Sequence, residues 1–223
     1  MGDCLILHTE NSNEGEKGDF IFRTKSQKKP LRSIIRIFSN GETEINYFNE
    51  QKNAIKKRCG LSNNRNIKII PIYQNQSIKK SLQTIIKQYP ERILKDNDKI
   101  FCVFDVDNTD DSHLEQALKS KPRYVDLILS NPCFEFWLLL HFRYHNQSMT
   151  IDEAATKIKN FLPTYTKPNI QPYFSILKPR EETAIKYAKQ VRREHQKNGY
   201  ELNSRIANPH THMDSVVELL NSV

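Results

Sequence analysis

Short apolar runs rich in β-branched residues alternate with stretches of helical periodicity four times over residues 33–142, and this pattern leaves few folds open. The runs are SIIRIF at 33–38, IKIIPIY at 67–73, the stretch 100–104 that stops on Asp105, and 125–129. After the first, SNGE reads as a tight turn with Gly41 able to take a positive φ. TEINYFNEQKNAIKKRC then sets Ile45, Phe48 and Ile55 at near-helical spacing, with Gly60 as a cap. Ser77 can cap a helix over 78–89 stopped by Pro90, and a further helix is predicted over 111–119. Repeated strand–helix units predict a parallel sheet with helices on both faces. Ligands of such sheets sit outside the carboxyl ends of the strands. Those ends carry SNGETE, DVDN and SNPCFE, so three polar stretches converge on one rim.

Asp105 and Asp107 lie one residue apart at the end of the third run. Positions i and i+2 of a strand point to one side, roughly 6–7 Å apart. Two carboxylates so placed can hold a divalent metal against phosphate oxygens, although DxDN is also good turn chemistry. Asn131 can cap a helix whose first position is Pro132. That helix is apolar almost all round and is expected to be buried. Glu135 sits in its first two turns, where the dipole favours an anion, and it could equally accept backbone N–H groups there. Phosphate chemistry is the first reading. FDVDNTDD is also similar to the first motif of haloacid-dehalogenase phosphatases, and LILSN to their second. Against that, their nucleophilic Asp ends the first strand of the sheet, whereas two strand–helix units precede Asp105.

Beyond about residue 147 the pattern turns to helices only: one capped by Thr150 and running to 161, a charged amphipathic one ending at Gly199, and one over 213–220. The expected division is a polar arm or hairpin at 1–30, an α/β core at 31–147, and a helical appendage at 148–223 packed on the core. A net charge of +8 and a pI near 9.2 suit a protein that meets polyanions. No stretch approaches the ~18 apolar residues of a membrane span, and no basic segment introduces a secretory signal. Cys4, Cys59, Cys102 and Cys133 form no CxxC pair, so reduced thiols and a cytoplasmic location are expected. His210 and His212 have no Cys or His cluster to complete a zinc site, and solvated loop histidines are the simpler reading.

SNPCFEFWLLLHF, preceded by a strand ending in DxD and followed by NPHTHMDSVVELL, resembles the RloB family over 33–220. NGETEINYF is similar to that family's EGE-TE-x-x-YF turn, and the YTK of 165–167 fits its helical half. RloB proteins resemble Toprim proteins, whose chemistry is metal-dependent phosphodiester cleavage or transfer. The resemblance therefore implies a Toprim-like parallel sheet of about four strands flanked by helices, with a C-terminal helical appendage. It implies Mg²⁺ or Mn²⁺ on Asp105 and Asp107, Glu135 as an added acidic group, and Lys167 and Asn131 as substrate contacts. Where the Toprim pattern has a glutamate before the turn glycine, this chain has Asn40. Glu44 of the TE pair is the expected third metal ligand, with Glu42 the alternative. The implied function is a nuclease on DNA or RNA in bacterial anti-phage defence, partnered by an ABC-type ATPase encoded nearby; homo-oligomer formation is left open. Two other classes stand beside it: a Toprim-derived binding subunit that has lost catalysis, and the dehalogenase-type phosphatase.

Overall fold

A computed structural model describes residues 34–59, 66–72, 77–106, 111–202 and 204–222. Asp107, the Gly60 cap and the arm at 1–30 lie outside the described residues. The element order is β1 (Ile34–Ser39), α1 (Glu42–Cys59), β2 (Asn66–Pro71), α2 (Ile78–Gln88), β3 (Lys99–Asp105), α3 (Asp111–Ser120), β4 (Val125–Asn131) and α4 (Glu135–Leu140). It continues with α5 (Ile151–Lys159), α6 (Phe174–Leu177), α7 (Glu181–Lys197), β5 (His210–Thr211) and α8 (Met213–Asn221).

The strands form one five-stranded sheet in the order β2-β1-β3-β4-β5. All neighbours are parallel except β5, which runs antiparallel to β4. The α/β class with a largely parallel sheet is thus as the alternation predicts. Strand side chains alternate between two cores, as the period of two requires. Ile35, Ile37, Phe101, Val103 and Ile128 face one core, which α1 and the helices from α4 onward complete. Phe38, Ile100, Cys102, Phe104 and Leu129 face the other, under α2 and α3. The near-continuous apolar run of β3 reflects burial on both faces.

Helix starts follow their caps. The Ser77 hydroxyl accepts from the Lys80 amide at 3.3 Å. Thr150 and Glu153 form a capping box, each side chain bonded to the other's backbone amide. Gly199, with φ of 78°, follows the end of α7. Two buried charge clusters tie the later helices to the rest. Lys178 bonds Glu181, Gln51 and Asn221 at 2.7–2.8 Å, joining the start of α7 to α1 and α8. Arg192 grips the Asp214 carboxylate with two nitrogens, each at 2.6 Å, and so fixes α7 to α8.

Four expectations are corrected. Asn131 does not cap a helix: β4 continues through it to pair with His210, and α4 begins only at Glu135. The helical pattern after 147 is interrupted by β5, whose two residues are too few to show a period of two. His210 is fully buried rather than a solvated loop residue, and burial, with the His212 charge next, pulls it down to about 3. Gly41 does not have a positive φ; its role is steric, as the site shows. Leu31–Val223 forms one compact unit. None of the described helices is long and apolar enough to cross a membrane.

Candidate active site

The parallel register sets the carboxyl ends of β1, β3 and β4 side by side, with Ser39 opposite Val103 and Asp105 opposite Ser130. Each end contributes a polar group. At β1, the Ser39 hydroxyl accepts from the Gly41 amide at 3.2 Å, and α1 starts at once. Its first turn carries Glu42, which is exposed, and Glu44, which is buried. The Glu44 carboxylate folds back over Gly41 so closely that a Cβ there would overlap Cδ and both oxygens. Glycine is needed at 41 for this approach, not for an unusual backbone angle.

At the end of β3, Asp105 is half-buried between the two neighbouring strand ends. The Val106 amide donates to the Ser130 carbonyl at 2.9 Å, which holds the chain against β4 as it leaves the strand.

Glu135 opens α4, and its side chain has no exposed surface. A buried carboxylate needs partners for both oxygens. Here the Tyr165 hydroxyl donates to Oε1 at 3.0 Å, and Lys167 Nζ lies 2.8 Å from Oε2. The lysine side chain itself is 49% exposed, so its ammonium bridges a buried anion and the surface. Burial pulls the Lys167 ammonium down, but the hydrogen bond and charge of Glu135, with Cys133 and Asp105 behind them, outweigh it and leave its pKa raised. Burial, then the charge and hydrogen bond of Glu135, push the Tyr165 phenol well above its ordinary value; Thr43 opposes and Glu44 adds to the rise. Tyr165 is therefore an O–H donor. Burial and the carboxylates of Glu135 and Asp105 likewise push the Cys133 thiol up, so it is neutral and unreactive.

The loop carrying Tyr165 and Lys167 is held at several points. Asn46 of α1 donates to the Pro168 carbonyl at 3.0 Å, and the Asn169 amide to the Thr166 carbonyl at 2.9 Å. Leu162 and Ile170, on either side, are buried in the core shared with α4.

Of the residues singled out in the sequence, Glu44, Asp105, Glu135 and Lys167 share this electrostatic neighbourhood at the rim. Asn131 is turned away: its amide donates to the carbonyls of Ser204, Arg205 and Ala207 at 3.1–3.3 Å and anchors that loop. Tyr165 is the addition, since its hydroxyl donates to Glu135, and Thr43 stands beside that hydroxyl. A tyrosine two positions before a lysine in a Pro-rich stretch was the available signal.

The donors at the rim are hard carboxylate oxygens, the type that Mg²⁺ and Mn²⁺ take. Among the described residues, no three His, Cys, Asp or Glu side chains are grouped so as to hold a metal ion.

No curated protein and no solved structure matched the chain. The family model for RloB-like proteins matches residues 35–220, a span that includes β2 to β5, all of β1 but Ile34, and every rim residue named above, and the chain belongs to the RloB-like family.

Proposed function

We propose that this protein is a metal-dependent nuclease that cleaves phosphodiester bonds of DNA or RNA, acting in bacterial anti-phage defence beside an ABC-type ATPase. The observation that carries the reading is the Glu135–Lys167 ion pair at the carboxyl end of a parallel sheet, with the charge of Asp105 acting on the same lysine and that of Glu44 on Tyr165. Asp105, Asp107 and Glu44 would hold Mg²⁺ or Mn²⁺, which when bound supplies Lewis-acid activation of a phosphoryl oxygen. The chain's own contribution is charge and placement. The net charge of +8 draws a polyanion in, and Lys167 offers a fixed cation beside the carboxylates. The defence role and the ATPase partner rest on family membership, and a cytoplasmic location agrees with the buried thiols of Cys102 and Cys133.

The test is cleavage of labelled DNA and RNA with Mn²⁺ or Mg²⁺, with and without EDTA, run beside a panel of small phosphate esters. Wild type should cleave at least one polymer only when metal is present. Asp105→Asn should lose that activity while melting within a few degrees of wild type. Turnover of phosphate monoesters alone would favour the dehalogenase-type chemistry instead.

One observation favours a second reading, a binding subunit without catalysis. Asn40 stands where the Toprim pattern has glutamate. Salt-sensitive binding of nucleic acid with no metal-dependent cleavage would establish it.

A further inference from the structure

Glu135 has the residue type of a general acid or base but not the placement. A catalytic proton donor or acceptor must come within hydrogen-bond reach of the reacting atom, directly or through one water. The Glu135 side chain is wholly buried, with Tyr165 on one oxygen and Lys167 on the other. Of the pair, only the lysine reaches solvent. The lysine, by contrast, is half in solvent, and its loop is fastened to α1 through Asn46 and to the core through Leu162 and Ile170.

We infer that Glu135 is a positioning residue whose buried carboxylate, anchored by Tyr165, holds the Lys167 ammonium at the rim as a contact for a non-bridging phosphodiester oxygen. A lysine with four rotatable carbons spends most of its time elsewhere unless something fixes its head group. A carboxylate beneath it does so and also keeps it protonated, so the ligand meets a full positive charge. The buried ion pair is then explained: alone it contributes little to stability, but it pre-orders a cation where the substrate arrives. The inference rests on the reading that this site handles phosphodiesters, and it names the residue pair that binds them.

Fluorescence anisotropy of a short labelled single strand, DNA and RNA in turn, tests it with EDTA present, so that neither metal nor turnover enters. Wild type is compared with Lys167→Met, Lys167→Arg, Glu135→Gln and Tyr165→Phe between about pH 8 and pH 11, because Glu135 holds the wild-type ammonium charged above the ordinary lysine range and its loss lets the proton leave earlier. Lys167→Met should weaken binding severalfold and lower the salt slope by roughly 0.7. Lys167→Arg should keep most of the affinity. Glu135→Gln keeps the shape but removes the charge, so its affinity should fall away at lower pH than that of wild type. Superimposable pH profiles for Glu135→Gln and wild type would overturn the inference, as would undiminished binding by Lys167→Met. If Glu135→Gln fails to fold, Tyr165→Phe, which removes a single hydroxyl from Glu135, should shift the profile in the same direction, and no shift there overturns it. Failure of wild type to bind either strand would remove the phosphodiester contact altogether. Binding with these profiles but no metal-dependent cleavage would sink the nuclease reading and leave the Glu135–Lys167 assignment standing.

Discussion

Gly41→Ala separates a metal-binding Glu44 from a merely buried one. The alanine Cβ would overlap the Glu44 carboxylate, and non-bonded contacts at about 3.5 Å require that group to retreat by an ångström or more. The backbone does not resist the substitution, because Gly41 does not have a left-handed angle. Moving Glu44 off its rotamer costs about 0.5–1.5 kcal/mol. Loss of glycine's freedom in the unfolded chain returns about 0.4–1 kcal/mol. The two nearly cancel, and at roughly 2–4 °C per kcal/mol the melting temperature should stay within about 4 °C. Metal binding has no such compensation. Mg²⁺ and Mn²⁺ sites tolerate little displacement of a ligand, and a shift of this size should cost roughly tenfold or more in affinity. Isothermal titration of Mn²⁺ measures this directly, with Glu44→Gln as the positive control. Glu42→Gln should be mild because Glu42 is exposed, and Asn40→Glu should bind more tightly. A Gly41→Ala protein that melts normally and binds Mn²⁺ like wild type would refute the assignment. One destabilised by more than about 3 kcal/mol would instead make Glu44 a structural wedge.

Lys178→Met should destabilise the fold by about 3 kcal/mol, the low end for breaking a buried pair, since Asn221, Gln51 and Tyr47 still donate to Glu181. A drop in melting temperature below about 3 °C, against the roughly 6–12 °C expected, would show that the cluster contributes no more than a surface pair. Acid should also weaken the protein. Burial holds His141 at about 4 and His210 at about 3, against an ordinary value of 6.5. The unfolded chain thus takes up protons below pH 6.5 that the folded chain refuses, and stability is lost as pH falls. The slope is about 1.4 kcal/mol per unit per histidine, so urea midpoints should decline steadily between about pH 6.5 and pH 5; a flat midpoint would contradict this.

The parts of this fold that depend on neighbours in sequence were legible. Strand–helix alternation requires only local periodicity, and it predicted the parallel sheet and the two cores. Ser77 and Thr150 announce their helices because a cap bonds an amide three residues on. The failures share a different cause. β5 is two residues long and exists because Ser130 and Asn131 pair with Thr211 and His210 far along the chain. The same pairing explains Asn131, which Pro132 makes look like a helix cap but whose amide is committed to the loop at 204–207. His210 looked solvated for the same reason: without β5, nothing local buries it.

The site divides along the same line. Asp105 was visible as a carboxylate ending an apolar run, and Glu135 as a charge in an otherwise apolar helix. What could not be read was that Glu135 would be covered. Its partners come from 165 and 167, beyond α5, and the loop that carries them is fixed by Asn46 from α1. A charge inside an apolar run has two physical resolutions: it lines a cavity open to ligand, or it meets a counter-ion from elsewhere in the chain. Local pattern cannot choose between them, because both give the same sequence around Glu135. The choice is made by Lys167, and only half of that lysine is buried. A cation kept charged by a buried anion and presented at a carboxylate rim is the arrangement expected where a negatively charged ligand must approach other negative groups.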